Sequence, residues 1–119
     1  LRLSRGLGDV YKRQILIDYA HNFGGIQAIV NSVSNIYQDL ITIYGCGGER
    51  DSSEREKIMK FACTNSRKVI FTSDNSRNES FQSILDDSKK DHEYSNLIVE
   101  ADRKKAIKLY CFLPICFYN

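Results

Sequence analysis

Short continuous apolar runs alternate with amphipathic segments from residue 15 onward. The runs ILID, LITIY, KVIF and NLIVE occupy positions 15–18, 40–44, 68–71 and 96–100. They are rich in β-branched side chains, which predicts four strands. Strands that are apolar on both faces are typical of a parallel sheet covered by helices. We therefore predict an α/β fold, a Rossmann-like doubly wound and mostly parallel sheet with helices on both faces and right-handed crossovers.

Helical periodicity fills the gaps between these runs. The first predicted helix face follows Gly24 and Gly25 and consists of apolar residues at three- and four-residue spacing: Ile26, Ile29, Val30, Val33 and Ile36. A second helix is predicted to begin near Ser53, because Ser53 and Glu56 have the spacing of a capping box. The buried residues expected in the second and third helices are Ile58, Phe61 and Ala62, then Phe81, Ile84 and Leu85. A fourth helix is predicted over 101–109.

The two ends of the chain depart from this pattern. Residues 1–14, LRLSRGLGDVYKRQ, show neither alternation nor a helical stripe, so we expect a non-native adapter or cloning scar, or a disordered basic arm. Residues 110–119, YCFLPICFYN, combine four aromatics, two cysteines and the only proline. We interpret them as an anomalous tail that is out of frame, with an apolar edge strand broken by Pro114 as the alternative. The native, partial domain is thereby predicted to span residues 15–109.

Composition and charge narrow the class of protein. The chain has 119 residues, of which 42% are hydrophobic and 27% charged, as in a single globular domain. Four of its 17 basic residues and one of its 15 acidic residues lie in positions 1–14, so the remainder carries a net charge of −1 and we expect no nucleic-acid partner. The four cysteines form no CxxC pair, and no apolar run reaches the ~20 residues of a membrane helix. We expect a reduced, cytoplasmic protein with no membrane partner.

Three polar stretches each follow a predicted strand and precede a predicted helix. They are DYAHNFGG at 18–25, GCGGERD at 45–51 and TSDNSRNES at 72–80. Ligands of doubly wound sheets bind outside the carboxyl ends of the strands, so we expect these stretches to form one site. GCGGERD is neither a P-loop nor a GxGxxG dinucleotide motif. It is either a turn that needs glycine at positive φ, or a binding loop in which the guanidinium of Arg50 meets a carboxylate or phosphate.

Single residues in the other two stretches allow more than one interpretation. Asp18 could accept ribose hydroxyls and His21 could donate to a phosphate, although an N-cap aspartate and a solvated histidine are the alternatives. Asp74 and Asn75 are ordinary turn formers. Arg77 is either a second guanidinium that binds a carboxylate or a surface charge.

In this order and spacing, DYAH, GCGGERD and TSDNSR resemble the C-terminal domain of the Mur ligases. They resemble in particular the UDP-N-acetylmuramoyl-tripeptide synthetases, whose motifs read DYAH, GCGGxRD and TSDNPR. The resemblance covers about residues 15–109. It implies an ATP-dependent amide ligase of peptidoglycan synthesis, in which ATP phosphorylates the carboxylate of UDP-MurNAc-L-Ala-D-Glu. The amino group of a third residue, a diamino acid, then attacks the acyl phosphate, with Mg²⁺ neutralising the phosphates.

The resemblance also implies a role for individual residues. Asp18 would bind the ATP ribose, and His21 would lie near the nucleotide. Arg50, Asn75 and Arg77 would bind the incoming amino acid. In this family the arginine of the third motif grips the distal carboxylate of meso-diaminopimelate, and lysine-adding members usually lack it.

This sequence departs from the family pattern at two places. Ser76 stands where the family has proline, and Phe23 and Gly24 replace the Thr/Asn-Pro-Asp continuation after DYAH. The N-terminal and central domains, the latter with its P-loop and the main magnesium ligands, and the later motif that completes the amino-acid pocket are not in this sequence. We therefore expect no catalytic residue here and no activity from this fragment alone. The alternatives are another Mur-type ligase (lysine-adding, or like folylpolyglutamate or cyanophycin synthetase) and a stand-alone, non-catalytic nucleotide-binding module.

Overall fold

Five short strands and four helices make up the described part of the chain. The computed structural model describes residues 2–5 and 14–112. In chain order the elements are β1 (Arg2–Arg5), β2 (Gln14–Ile17), α1 (Phe23–Ser34), β3 (Ile41–Tyr44), α2 (Ser53–Asn65), β4 (Lys68–Phe71), α3 (Phe81–Lys89), β5 (Leu97–Val99) and α4 (Arg103–Ile107). A π-helical turn, Lys108–Phe112, continues α4. None of the helices in these described segments is long and apolar enough to cross a membrane.

The parallel sheet has the strand order β3-β4-β5. Ile70 at the centre of β4 pairs with Ile43 on one side and Ile98 on the other. Val69, Ile70 and Phe71 of β4 are each 0% exposed. Because successive side chains of a strand point to opposite faces, the central strand is covered on both faces. The predicted α/β fold with a parallel sheet is confirmed, and β4 coincides with the run KVIF.

Helix α2 contributes to two apolar clusters that together form the core. Its Met59 packs in a cluster with Phe71, Ile84 and Leu85, and its Ile58 packs in the other with Ile26 and Val30. The predicted buried residues that are confirmed by an exposure of 7% or less are Ile26, Val30, Ile58, Ala62, Ile84 and Leu85, whereas Ile29, Val33, Phe61 and Phe81 are partly buried.

The prediction for Ile36 is wrong. Its side chain is 71% exposed, because α1 ends at Ser34 and is capped by Asn35. Ile36 and Tyr37 instead continue the turn with backbone bonds to Val33 O. The apolar periodicity of α1 therefore continues in the sequence beyond the last residue of the helix.

The run ILID forms a strand, but it does not join the parallel sheet as predicted. β2 pairs in antiparallel register with β1, with Leu16 opposite Leu3. The two strands are close in sequence, so closing the connection between them costs little chain entropy. The hydroxyl of Tyr37 donates to the side chain of Gln14, which ties β2 to the segment after α1. The interpretations of residues 1–14 as an adapter or cloning scar or a disordered arm, and of 110–119 as an out-of-frame tail, stay predictions. Residues 1, 6–13 and 113–119 lie outside the described part.

Side-chain oxygens accept hydrogen bonds from backbone N–H groups at the N-termini of α1 and α2. Asn22 caps α1 by accepting from the Gly25 N–H at 2.8 Å. The predicted capping box of Ser53 and Glu56 is wrong, because α2 begins at Ser53 rather than after it and Ser52 makes no side-chain cap bond. Instead, Asp51 Oδ1 accepts from the Ser53 N–H at 3.0 Å and from its hydroxyl at 2.6 Å. These bonds lower the pKa of Asp51, since they favour its charged form.

Candidate functional site

The loops that follow β3 and β4 pack directly against each other. We call residues 45–51 the β3 loop and residues 72–80 the β4 loop. Because β3 and β4 are parallel neighbours, both loops leave the same edge of the sheet. The Gly48 N–H donates to Asn75 O at 2.8 Å, and Arg77 Nη1 donates to Gly48 O at 2.5 Å. Two of the three predicted binding loops are therefore brought together as one surface.

The glycines of the β3 loop are needed for this close approach. A Cβ on Gly48 would lie 1.8 Å from Ser76 O, and a Cβ on Gly45 would lie 2.4 Å from Thr72 O. The left-handed backbone in this region belongs to Glu49, with φ 55°, and to Arg77, with φ 53°. The alternative of a turn with glycine at positive φ is thus wrong. The glycines make room for the neighbouring loop, and two non-glycine residues make the turns.

Arg50, Asn75 and Arg77 surround Gly47. An atom at the Cβ position of Gly47 would lie 3.2 Å from Arg77 Nη1, 3.5 Å from Arg50 Cγ and 3.7 Å from Asn75 O. All three residues are exposed. Within residues 14–112, Arg50 has no hydrogen-bond or ion-pair partner, and Arg77 has only the Gly48 carbonyl. The Arg77 guanidinium beside Gly47, with the exposed side chain of Arg50 next to it, gives this surface the chemistry to bind a carboxylate.

The β4 loop is also held from the carboxyl-terminal side. Asp74 Oδ1 accepts from the Asn75 N–H at 2.8 Å and from Arg103 Nη1 of α4 at 3.1 Å. The hydroxyl of Ser76 donates to Asp74 O at 3.1 Å. Proline at position 76 would lack this hydroxyl, so the departure from the family pattern replaces a rigid ring with a hydrogen bond.

Arg55 is a functional candidate that the sequence reasoning missed. It lies in the first turn of α2, and its side chain is 2% exposed. Its Nη1 and Nη2 donate to Glu79 at 3.2 and 2.7 Å, Nη1 donates to Asp87 at 2.9 Å, and Nη2 donates to Gly47 O at 3.2 Å. The hydrogen bonds that Arg55 donates to Glu79 are the main cause of its raised pKa. A buried charge with this many partners is fixed in place.

Glu79 links Arg55 to the β3 loop. The Glu79 carboxylate binds the Arg55 guanidinium, and its Oε2 also accepts from the Glu49 N–H at 2.5 Å. The neighbouring Asn78 donates from Nδ2 to Glu49 Oε1 at 2.9 Å. The Arg55 bonds, followed by the Glu49 N–H, hold the pKa of Glu79 below its usual value of 4.5.

The stability of the chain should fall in acid partly because of Glu79. Its pKa is lower in the folded state, so its contribution is fully present above the usual value of 4.5 and is lost as the pH falls through the folded value. Near neutral pH we expect the midpoint of thermal unfolding of Glu79→Gln to be lower than that of the wild type. Below about pH 4 we expect this difference to shrink. Circular dichroism melts over this range check it. A difference that stays constant down to pH 3 or so would contradict the linkage.

The first predicted loop is built differently. Asp18 Oδ1 accepts from the Ala20 N–H at 2.8 Å, and His21 Nδ1 lies 3.2 Å from Tyr19 O. The rings of His21 and Tyr19 are 5.3 Å apart, and Tyr19 is 86% exposed. Asp18 is not the N-cap of α1, since Asn22 is. Asp18 and His21 are exposed, and none of their hydrogen bonds within residues 14–112 reaches the β3 or β4 loop.

Cys46 of the β3 loop and Cys63, near the end of α2, have raised pKa values. Burial raises the pKa of Cys46 to about 11, and it raises the pKa of Cys63 to about 11 as well. Both are free thiols. At neutral pH they are protonated, and the thiol is the unreactive form. In the segments that the structure describes, no three histidine, cysteine, aspartate or glutamate side chains are grouped to hold a metal ion.

Fold and loops together define an α/β domain in which two polar loops pack against each other after adjacent parallel strands. Residues 6–112 match the Mur ligase, glutamate ligase domain, and the chain belongs to this family. The predicted resemblance is confirmed.

Curated relatives carry a more specific name. A protein of Clostridium perfringens is 39% identical over 95 residues, which are 79% of this chain and 20% of that protein. One of Fusobacterium nucleatum is 43% identical over 105 residues, which are 86% of this chain and 21% of that protein. Both are named UDP-N-acetylmuramoyl-L-alanyl-D-glutamate--2,6-diaminopimelate ligase. The chain thus spans about a fifth of the length of these relatives.

A solved structure with the same name shows the same fold. It superimposes with a TM-score of 0.81 at 28% identity, over 95% of this chain and 23% of that chain.

Proposed function

We propose that this chain is the C-terminal part of an ATP-dependent ligase that adds meso-diaminopimelate to UDP-MurNAc-L-Ala-D-Glu in peptidoglycan synthesis. The observation that carries this proposal is the arrangement of Arg50, Asn75 and Arg77 around Gly47. The names of the relatives support it. Because its substrates are nucleotide-linked and it consumes ATP, we place the enzyme in the cytoplasm.

The chemistry of the two arginines favours a diamino acid with a second carboxylate. Arg77 offers a planar guanidinium that can donate two parallel hydrogen bonds to that carboxylate, while Arg50 supplies a second positive charge nearby. Lysine has the same distal ammonium group but lacks the distal carboxylate. It would therefore place its positive charge near the guanidinium with no anion to compensate, and juxtaposed like charges are unfavourable, so the same residues that bind meso-diaminopimelate disfavour lysine.

On the nucleotide side, Asp18 and His21 are the groups that we assign to ATP. Both are exposed after β2, where an aspartate can accept ribose hydroxyls and a histidine can donate to a phosphate oxygen. ATP supplies the phosphoryl group that activates the dipeptide carboxylate. As the family implies, we assign most of the Mg²⁺ ligands, the catalytic groups and the dipeptide site to the other domains of the full-length enzyme.

An amino-acid competition assay tests the proposal. The full-length enzyme encoded at this locus is supplied with UDP-MurNAc-L-Ala-D-Glu, ATP and equal amounts of meso-diaminopimelate and lysine, and the products are separated by mass spectrometry. We expect the meso-diaminopimelate product to exceed the lysine product by about 100-fold or more. Equal turnover of lysine would refute the specificity, and no ATP-dependent product with either amino acid would favour the stand-alone module.

A further inference from the structure

Arg55 and its partner Glu79 hold the backbone on both sides of Gly48, just before Arg50. Arg55 Nη2 donates to Gly47 O at 3.2 Å. Glu79 Oε2 accepts from Arg55 Nη2 at 2.7 Å and from the Glu49 N–H at 2.5 Å. The carbonyl before Gly48 and the N–H after it are therefore fixed by one guanidinium and its carboxylate partner. Since Glu49 has φ 55°, its backbone has a conformation that needs such support.

We propose that Arg55 and Glu79 are positioning residues that fix the β3 and β4 loops in the arrangement that binds the incoming amino acid. The inference rests on the proposed function and adds to it a pair of residues that do not touch the amino acid. Arg55 acts on the β3 loop through Gly47 O, and Glu79 joins the end of the β4 loop to the Glu49 N–H. Both contacts lie next to the glycine on which Arg50 and Arg77 converge.

Stability alone does not account for a buried arginine at this place. Arg55 is spaced three, four and seven residues before Ile58, Met59 and Ala62, so it occupies the apolar face of α2. Replacing a buried ion pair by well-packed apolar residues is often neutral or stabilising. Its Nε is buried without a hydrogen-bond partner among the described residues. An apolar residue at position 55 could not donate to the Gly47 carbonyl, and it could not bind the Glu79 carboxylate that accepts the Glu49 N–H.

Asp87 provides a matched control within the same cluster. It accepts from Arg55 Nη1 at 2.9 Å, as Glu79 does at 3.2 Å, but it lies on α3 and bonds to neither loop in the described part of the chain. Glu79→Gln and Asp87→Asn each remove one negative charge from Arg55 and keep the side-chain shape. They differ in that only Glu79 receives the Glu49 N–H.

The test compares these variants in the full-length ligase, with the amino acid that the wild type adds. For Glu79→Gln we expect the KM for that amino acid to rise about tenfold, as for the loss of a charge-assisted hydrogen bond, while the KM for ATP stays within about twofold. Asp87→Asn should change either KM by less than about threefold. Equal increases in both variants, or parallel increases for ATP and the amino acid, would overturn the positioning role.

Arg55→Lys is the second variant. A lysine side chain at position 55 keeps the positive charge but cannot donate to Gly47 O and to both oxygens of Glu79 at once. The KM of the Arg55→Lys enzyme for the amino acid should therefore also rise. If neither Arg55→Lys nor Glu79→Gln folds while Asp87→Asn does, the cluster serves folding and the inference is overturned. Because the assay uses whichever amino acid the wild type adds, a preference for lysine would refute the proposed specificity and leave this comparison intact.

Discussion

Replacing Arg77 with alanine in the full-length protein is expected to weaken binding of the incoming amino acid by about 1.5–3 kcal/mol, or about tenfold and more. The guanidinium is exposed and donates to Gly48 O, so the substitution removes both a ligand group and a bond between the two loops. Affinity for ATP should stay nearly unchanged. Isothermal titration with the amino acid and with a non-hydrolysable ATP analogue separates the two effects.

Arg103→Ala is the control for this prediction. Arg103 is also an exposed arginine that contacts the β4 loop, through Asp74 at 3.1 Å, but it lies on α4 and not at Gly47. An exposed ion pair is worth ~1 kcal/mol at most, so we expect less than about a fivefold loss of amino-acid affinity. If Arg77→Ala reduced ATP and amino-acid affinity together, the assignment of the β4 loop to the amino acid would be wrong.

Gly48→Ala should disrupt the site through the backbone. The new methyl group would stand 1.8 Å from Ser76 O and 2.5 Å from Ser76 C, and neither is the mobile end of a side chain. The loops must separate, which would break the bond from the Gly48 N–H to Asn75 O. We expect a loss of about 1–3 kcal/mol in the free energy of unfolding and the loss of measurable amino-acid binding.

Gly24→Ala is the matched glycine substitution. A Cβ there has its nearest neighbour, Asn22 Oδ1, at 3.9 Å, and Gly24 lies within α1. Alanine is favoured over glycine in a helix by up to ~1 kcal/mol, so this variant should be as stable as wild type or more so. Thermal unfolding and amino-acid binding of both variants check the pair. A Gly48→Ala protein as stable as Gly24→Ala would show that the two loops are not in close contact.

Much of the fold could be predicted from apolar patterns because those patterns record burial directly. The run KVIF is apolar on both faces, and β4 is covered on both faces. The position of ILID could not be predicted in this way, since the pattern identifies a strand but not its partner. That partner lies at Arg2–Arg5, in a segment with no alternation of its own. Ile36 was misplaced for a related reason, because periodicity does not specify where a helix ends.

The site was predictable where its residues follow a strand and not where they depend on distant partners. Arg50, Asn75 and Arg77 come together because β3 and β4 are neighbours. Arg55 could have been noticed as a charge on the apolar stripe of α2, but its partners lie 24 and 32 residues further along the chain. The sequence also suggested that the glycines make the turns, whereas their absent side chains admit the β4 loop.

All of the residues that we assign to the amino acid, and those that position them, lie between Arg50 and Glu79. They belong to one uninterrupted stretch that runs from the β3 loop through α2 and β4 to the β4 loop. The residues assigned to the nucleotide lie before it, next to β2. A change of amino-acid specificity could therefore be inherited as a single exchanged cassette. On the proposed function, recombination within this stretch would change which amino acid is added and leave the nucleotide-binding residues in place.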